Sequence, residues 1–150
     1  MLNKPLVNKK ALYLLTFYNR LRDSLVENQY IFSVSVKTAY LPEQSNEEEN
    51  RFAFAYTVTI TNVGTIAAQL ISRHWIITDA DGNTNEVRGL GVVGAQPILQ
   101  PNEVYEYTSG TVINTRAGSM HGSYQIVAID GTPFEAEIAP FTLAAPRILH

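Results

Sequence analysis

The chain has 150 residues, a hydrophobic content of 45%, a charged content of 17% and no cysteine; this predicts one soluble domain with a core of its own and excludes disulfides, thiolate metal sites and a cysteine nucleophile. Residues 1–27 hold five bases against two acids, a balance of +3, and residues 28–150 hold six bases against twelve acids, a balance of −6. An acidic body argues against nucleic-acid binding, and no apolar run approaches the roughly 18 residues needed to cross a bilayer, which excludes a channel or pump.

Residues 8–27 carry helical periodicity. Ala11, Leu14, Leu15, Tyr18, Leu21 and Leu25 recur at the spacing of one helix face, Leu12 and Phe17 widen it, and Lys10, Asn19, Arg22 and Asp23 lie largely off it. An amphipathic helix is expected within an N-terminal extension, residues 1–28. Its partner is the body or a second subunit, the latter making a homodimer, and a partly ordered extension is the remaining alternative. Charges interrupt the apolar stretch and no small-residue cleavage site follows, so no secretory signal is expected. Asp23 and Glu27 weigh against a presequence or a membrane-surface anchor.

From Tyr30 the period changes to two. Tyr30, Phe32, Val34 and Val36 alternate with polar or exposed positions, and Leu41-Pro42 ends the strand. Glu47, Glu48 and Glu49 sit in a polar stretch that reads as a solvated loop. Phe52, Phe54, Tyr56, Val58 and Ile60 form one bulky face, opposite alanines and threonines. Asn62-Val63-Gly64 is turn chemistry. Gln69 to Thr78 is the next strand and holds the only tryptophan, Trp75. Asp79 to Asn83 predicts a hairpin turn. Beyond residue 97, a strand is expected over Glu103–Tyr107, continuing or restarting at Thr111–Ile113, then a turn at Arg116–Gly118. A strand over Ser123–Ile129, a turn at Asp130-Gly131 and a partner over Phe134–Ile138 follow. Pro140 predicts an edge or a bulge. Tyr105, Tyr107 and Tyr124 are expected at the surface, suited to an interface. Seven or eight short strands with no helix between them predict an all-β antiparallel sandwich of about that many strands.

Between Arg88 and Ile98 runs Gly89-Leu90-Gly91-Val92-Val93-Gly94-Ala95-Gln96-Pro97, with glycines at G-x-G-x-x-G spacing. That fingerprint binds dinucleotides only where it opens a helix in a βαβ unit. Pro97 and Pro101 forbid a helix here, and no Gly-Lys-Ser/Thr exists for a phosphate loop. Two readings stay open. Gly89, Gly91 and Gly94 supply backbone geometry, or they expose amides that bind a phosphate-containing ligand beside Arg88 and Arg73.

Asp79 and Asp81 fit neither a parallel α/β phosphotransferase scaffold nor an EF-hand loop. His74, His121 and His150 lack zinc spacing, and no G-x-S-x-G is present. No catalytic residue, metal ligand set or cofactor is expected.

Several separated stretches resemble one family: Phe54 to Asn62, Arg73-His74-Trp75-Ile76-Ile77-Thr78, Val87 to Pro97, Tyr107-Thr108-Ser109-Gly110, Met120-His121-Gly122-Ser123-Tyr124 and Pro140-Phe141-Thr142-Leu143. Their order and spacing resemble the ApaG family over residues 29–150. The resemblance implies a fibronectin type III-like (immunoglobulin-like) sandwich in which Gly89, Gly91 and Gly94 are a hallmark. It implies a link to cobalt and magnesium efflux, which must be indirect in a chain without a span. It also implies a recognition module, because eukaryotic relatives carry such domains on F-box and polymerase-interacting proteins. The first 28 residues depart from the family. The expected protein is cytoplasmic and non-catalytic, with an unidentified protein partner; phosphoryl-ligand binding or weak phosphohydrolase activity at the glycine loop is the alternative.

Overall fold

The computed structural model describes residues 8–147; residues 1–7 of the expected extension and His150 lie outside them. One helix, α1 (Lys9–Glu27), precedes eight strands: β1 (Phe32–Tyr40), β2 (Phe52–Asn62), β3 (Ala68–Asp79), β4 (Thr84–Leu90), β5 (Ile98–Leu99), β6 (Val104–Ile113), β7 (Ala117–Ala128) and β8 (Pro133–Ala144). Two antiparallel sheets result. One has the order β1-β2-β6, the other β4-β3-β7-β8 with β5 paired to β3. The sandwich is fibronectin type III-like.

The core follows the period-two pattern. Phe52, Phe54, Tyr56, Val58 and Ile60 of β2 are all buried, facing Leu70 and Trp75 of β3, Met120, Tyr124 and Ile126 of β7, and Ile138 and Leu143 of β8. Trp75 is the centre of an aromatic cluster, with ring centroids 5.3 Å from Tyr56, 5.9 Å from Phe141 and 6.3 Å from Tyr124. Edge-to-face rings of this kind add to the area they bury.

Two bulges set the geometry of the larger sheet. Ile71 is an extra residue in β3, between the pairs Leu70–Ile126 and Ser72–Gln125. Without it Leu70, Ser72 and His74 would share the core face. The bulge rephases the strand, so Trp75 turns inward after Leu70, with Arg73 on its side. In β8, Ala139 and Pro140 are crossed between the pairs Phe141–Met120 and Ile138–Gly122. Proline therefore sits both at a bulge and on an edge strand, where its missing N–H does no harm.

Two expectations are corrected, on the tyrosines and the turn before β7, and two left open are narrowed, on β6 and α1. Tyr107 and Tyr124 are buried, not at the surface, and their hydroxyls hydrogen-bond to each other between the sheets; each lies at an inward position of its strand. β6 is one strand through Ser109-Gly110, because every residue from Val104 to Ile113 pairs with β2. β7 starts at Ala117, so the turn before it falls earlier than Arg116–Gly118. Finally, α1 does not pack on the body: Tyr13, Leu14, Phe17 and Tyr18 are all more than half exposed.

Candidate functional site

The glycine loop is a clasp on the β3 bulge. Gly91 N donates to Ile71 O at 2.8 Å, Gln96 Nε2 donates to the same carbonyl at 2.9 Å, and Gln69 Nε2 donates to Gln96 O at 3.0 Å. Val92 is fully buried and plugs the loop into the core. Val92 and Ala95 exchange two backbone hydrogen bonds, at 2.8 and 3.0 Å, across the two-residue turn Val93-Gly94. Both turn residues have positive φ, 46° and 77°, as a tight hairpin turn with primed geometry requires. Gly91 also has positive φ, 62°, and a Cβ there would collide with the Ala95 carbonyl oxygen.

Arg73 completes the clasp. Its Nη1 donates to Leu90 O at 2.9 Å and Gly91 O at 2.8 Å. Gly89 lies opposite Arg73 in the ladder, and a Cβ on it would stand 2.8 Å from the guanidinium. Gly89 therefore makes room for the arginine. Arg88 is paired with His74, so it faces the other side of the sheet from Arg73. It is exposed, 3.8 Å from Glu86. Of the expected site residues, Arg73, Arg88 and Gly89 line one open groove, although the side chains of Arg73 and Arg88 leave the sheet on opposite faces.

Two depressions flank this edge. Beside β4 and β3 runs an open groove of about 450 Å³, lined by Ser72, Arg73, His74, Arg88, Gly89, Leu90, Ser123, Gln125 and Glu135. Gln125 organises it, accepting from Ser72 Oγ at 2.7 Å and donating to Ser123 Oγ at 2.9 Å and Glu135 Oε1 at 3.3 Å. His74 Nε2 is 3.4 Å from Glu86 Oε2 but without hydrogen-bond geometry. Between the sheets lies a pocket of about 240 Å³, lined by Tyr56, Arg73, Trp75, Ile77, Val87, Ser109, Gly110, Thr111 and Met120. Trp75 Nε1 is buried and has no acceptor among the described residues. An unpaired buried donor costs about 1–3 kcal/mol.

Burial raises the Tyr107 phenol to about 12 and pushes Tyr124 higher still. The carboxylates of Asp79 and Glu47 are engaged within the fold. At Asp79, desolvation acts upward, but hydrogen bonds from the Asn83 side chain and from the backbone of Asn83, Asp81 and Gly82 together hold its carboxyl below the ordinary range. Glu47 is held low first by the hydrogen bond from Arg116, at 2.8 Å. Among the described residues no three His, Asp or Glu side chains gather as a metal site would require.

Sequence reasoning missed Asn62, the only buried polar residue among those described. Its Nδ2 donates to Ile66 O and Leu99 O, both at 2.9 Å, and its Oδ1 accepts from Gly64 N at 2.9 Å. Turn chemistry flagged the position but not its reach to β5. The Ile71 bulge left no sequence signal at all.

The two antiparallel sheets define a fibronectin type III-like sandwich. The ApaG domain family matches residues 42–128. An ApaG protein of Methylobacillus flagellatus is 62% identical over 124 residues, covering 83% of this chain and 98% of its own length. One from Pseudomonas aeruginosa is 60% identical over the same shares. A Bordetella pertussis crystal structure, described as an ApaA protein, superposes with a TM-score of 0.78 at 54% identity, covering 81% of this chain and 98% of that one. The chain belongs to the ApaG family.

Proposed function

We propose that this ApaG domain is a non-catalytic recognition module that docks a protein partner along the side of the sandwich between β4 and β6. One observation carries the reading: the two sides of the sandwich differ. On one, β1 and β8 pack together, with Phe32 edge-on to Phe134 at 5.6 Å and Tyr30 at 5.8 Å from the same ring. On the other, β4 and β6 are each the last strand of their sheet and together flank the inter-sheet pocket. A terminal strand offers unpaired backbone N–H and C=O groups to an added strand. Val87 and Leu90 of β4 and Val104 and Val112 of β6 are exposed beside those groups.

On this reading the family's association with cobalt and magnesium efflux reaches this chain through a partner, since no helix among the described residues is long and apolar enough to cross a membrane. A cysteine-free chain suits the cytoplasm. The test is a photo-crosslinking residue placed at Thr108 on β6, at Val87 on β4, or at Lys37 on β1. Capture of one discrete partner from Thr108 and Val87, and not from Lys37, is expected; equal capture from all three, or none, removes the reading.

A second reading is phosphoryl-ligand binding or weak phosphohydrolase activity at the glycine loop. The N–H groups of Val93 and Gly94 favour it, because they make no hydrogen bond to the described residues and Arg88 is exposed on the strand leading in. Calorimetry with pyrophosphate and nucleotides decides. No heat, with no chemical-shift change from Gly89 to Gly94, eliminates it.

A further inference from the structure

We infer that the pocket between the sheets is a carboxylate-binding site, taking a short apolar group that ends in a single negative charge. Its donors point to this chemistry. Trp75 Nε1 is a buried N–H with no acceptor among the described residues, on a side chain that walls the pocket. Arg73 uses Nη1 on the carbonyls of Leu90 and Gly91, and its Nη2 and Nε make no hydrogen bond to the described residues. Ser109 and Thr111 add hydroxyls at the β6 rim. Indole N–H and guanidinium can only donate, and a planar guanidinium matches a carboxylate. No acidic side chain lines the pocket to compete.

The walls set the rest of the ligand. Tyr56, Trp75, Ile77, Val87 and Met120 are apolar or aromatic, so the group behind the charge is a short hydrocarbon. A volume of about 240 Å³ admits a side chain or a small acid, not a nucleotide. One guanidinium balances one charge, which favours a carboxylate over a phosphate dianion. The Ile71 bulge creates the site, because it turns the strand face that Arg73 and Trp75 share inward, onto the side of Leu70. Two sources share this chemistry: a glutamate or aspartate side chain on a docked strand, or a free small acid. The proposal deepens the recognition reading and rests on it only for the first source.

Trp75 is the chain's only tryptophan, so its fluorescence reports on the pocket directly. The full chain is titrated with propionate and butyrate at constant ionic strength, with propionamide as the uncharged control. A saturable emission change is expected with the acids and at least about tenfold weaker binding of the amide. Arg73→Gln should weaken the acids about tenfold. Because Arg73 also holds the loop, Val87→Phe is the second variant: it narrows the pocket from a partly exposed rim position and should abolish the response while circular dichroism stays native. No saturable change in the folded wild type, equal response to the amide, or undiminished binding by Val87→Phe overturns the site. Capped pentapeptides centred on Glu or Gln separate the sources. A Glu-specific response that also shifts the Ser109–Thr111 amides supports a docked strand. Propionate binding without Glu-peptide binding leaves the site to small acids and removes the recognition reading from this side.

Discussion

At the scale of single residues, the loop separates two uses of glycine. Gly91 needs positive φ and also lies against the Ala95 carbonyl, whereas Gly94 needs positive φ in open space. Gly94→Ala is expected to cost about 1 kcal/mol, the penalty of left-handed backbone for a residue with a Cβ. Gly91→Val adds a collision to that penalty, for an expected loss of about 3 kcal/mol or more. Urea midpoints at constant m-value measure both, and equal losses would contradict the clasp. Asn62→Leu is expected to cost about 3 kcal/mol, because it leaves Gly64 N–H and two carbonyls without their side-chain partner. Asn62→Asp keeps the acceptor and loses the donors, so it should not rescue stability.

At the scale of elements, what was legible depended on whether a residue's neighbours in sequence decide its environment. β2 was readable because alternation alone places Phe52 through Ile60 on a core face, and both Asp-Gly and Gly-flanked hairpins were readable from turn chemistry. The burial of Tyr107 and Tyr124 was not readable, since an aromatic at an alternating position suits either a core or an interface. The phase of β3 was hidden for a different reason: a one-residue bulge moves Arg73 from one face to the other, and Ile71 carries no bulge signature. The glycine spacing was visible, but its role as a clasp on that bulge could not be read before the bulge was known. α1 was readable as a helix, though not its exposure. Because Leu14 is 69% exposed, Leu14→Ala is expected to change the unfolding midpoint of the sandwich by no more than about 0.5 kcal/mol. A larger loss would mean that the helix face is covered in solution.

At the scale of the whole molecule, pH acts on the two sides of the stability curve through different groups. The carboxyls of Glu47, Asp79 and Asp130 are held below their ordinary range, Asp130 chiefly by the hydrogen bond from Tyr30 at 2.6 Å. Their contribution is present above the unfolded carboxylate range and is lost as pH falls through the lower folded values; Glu47 and Asp130 are exposed and Asp79 only half-buried, so the acid limb should be shallow. The alkaline limb belongs to the buried phenol pair. An unfolded tyrosine titrates near pH ~10, whereas folding raises Tyr107 to about 12 and Tyr124 further. Below the unfolded value both states keep the proton and the contribution is complete. As pH rises from there through the folded value, the unfolded chain releases protons first and stability falls, by about 3 kcal/mol for Tyr107 alone. The expected outcome is cooperative unfolding above pH ~10, with the last phenolate absorbance appearing together with the loss of near-ultraviolet dichroism. The double variant Tyr107→Phe with Tyr124→Phe removes both raised groups and the hydroxyl contact together, so its stability should fall less steeply with alkali even though its neutral-pH stability differs. If all eight tyrosines ionise in one step near the unfolded value while the dichroism stays native, the phenol pair is not buried in solution, and the packing of β6 against β7 through Tyr107 and Tyr124 is wrong.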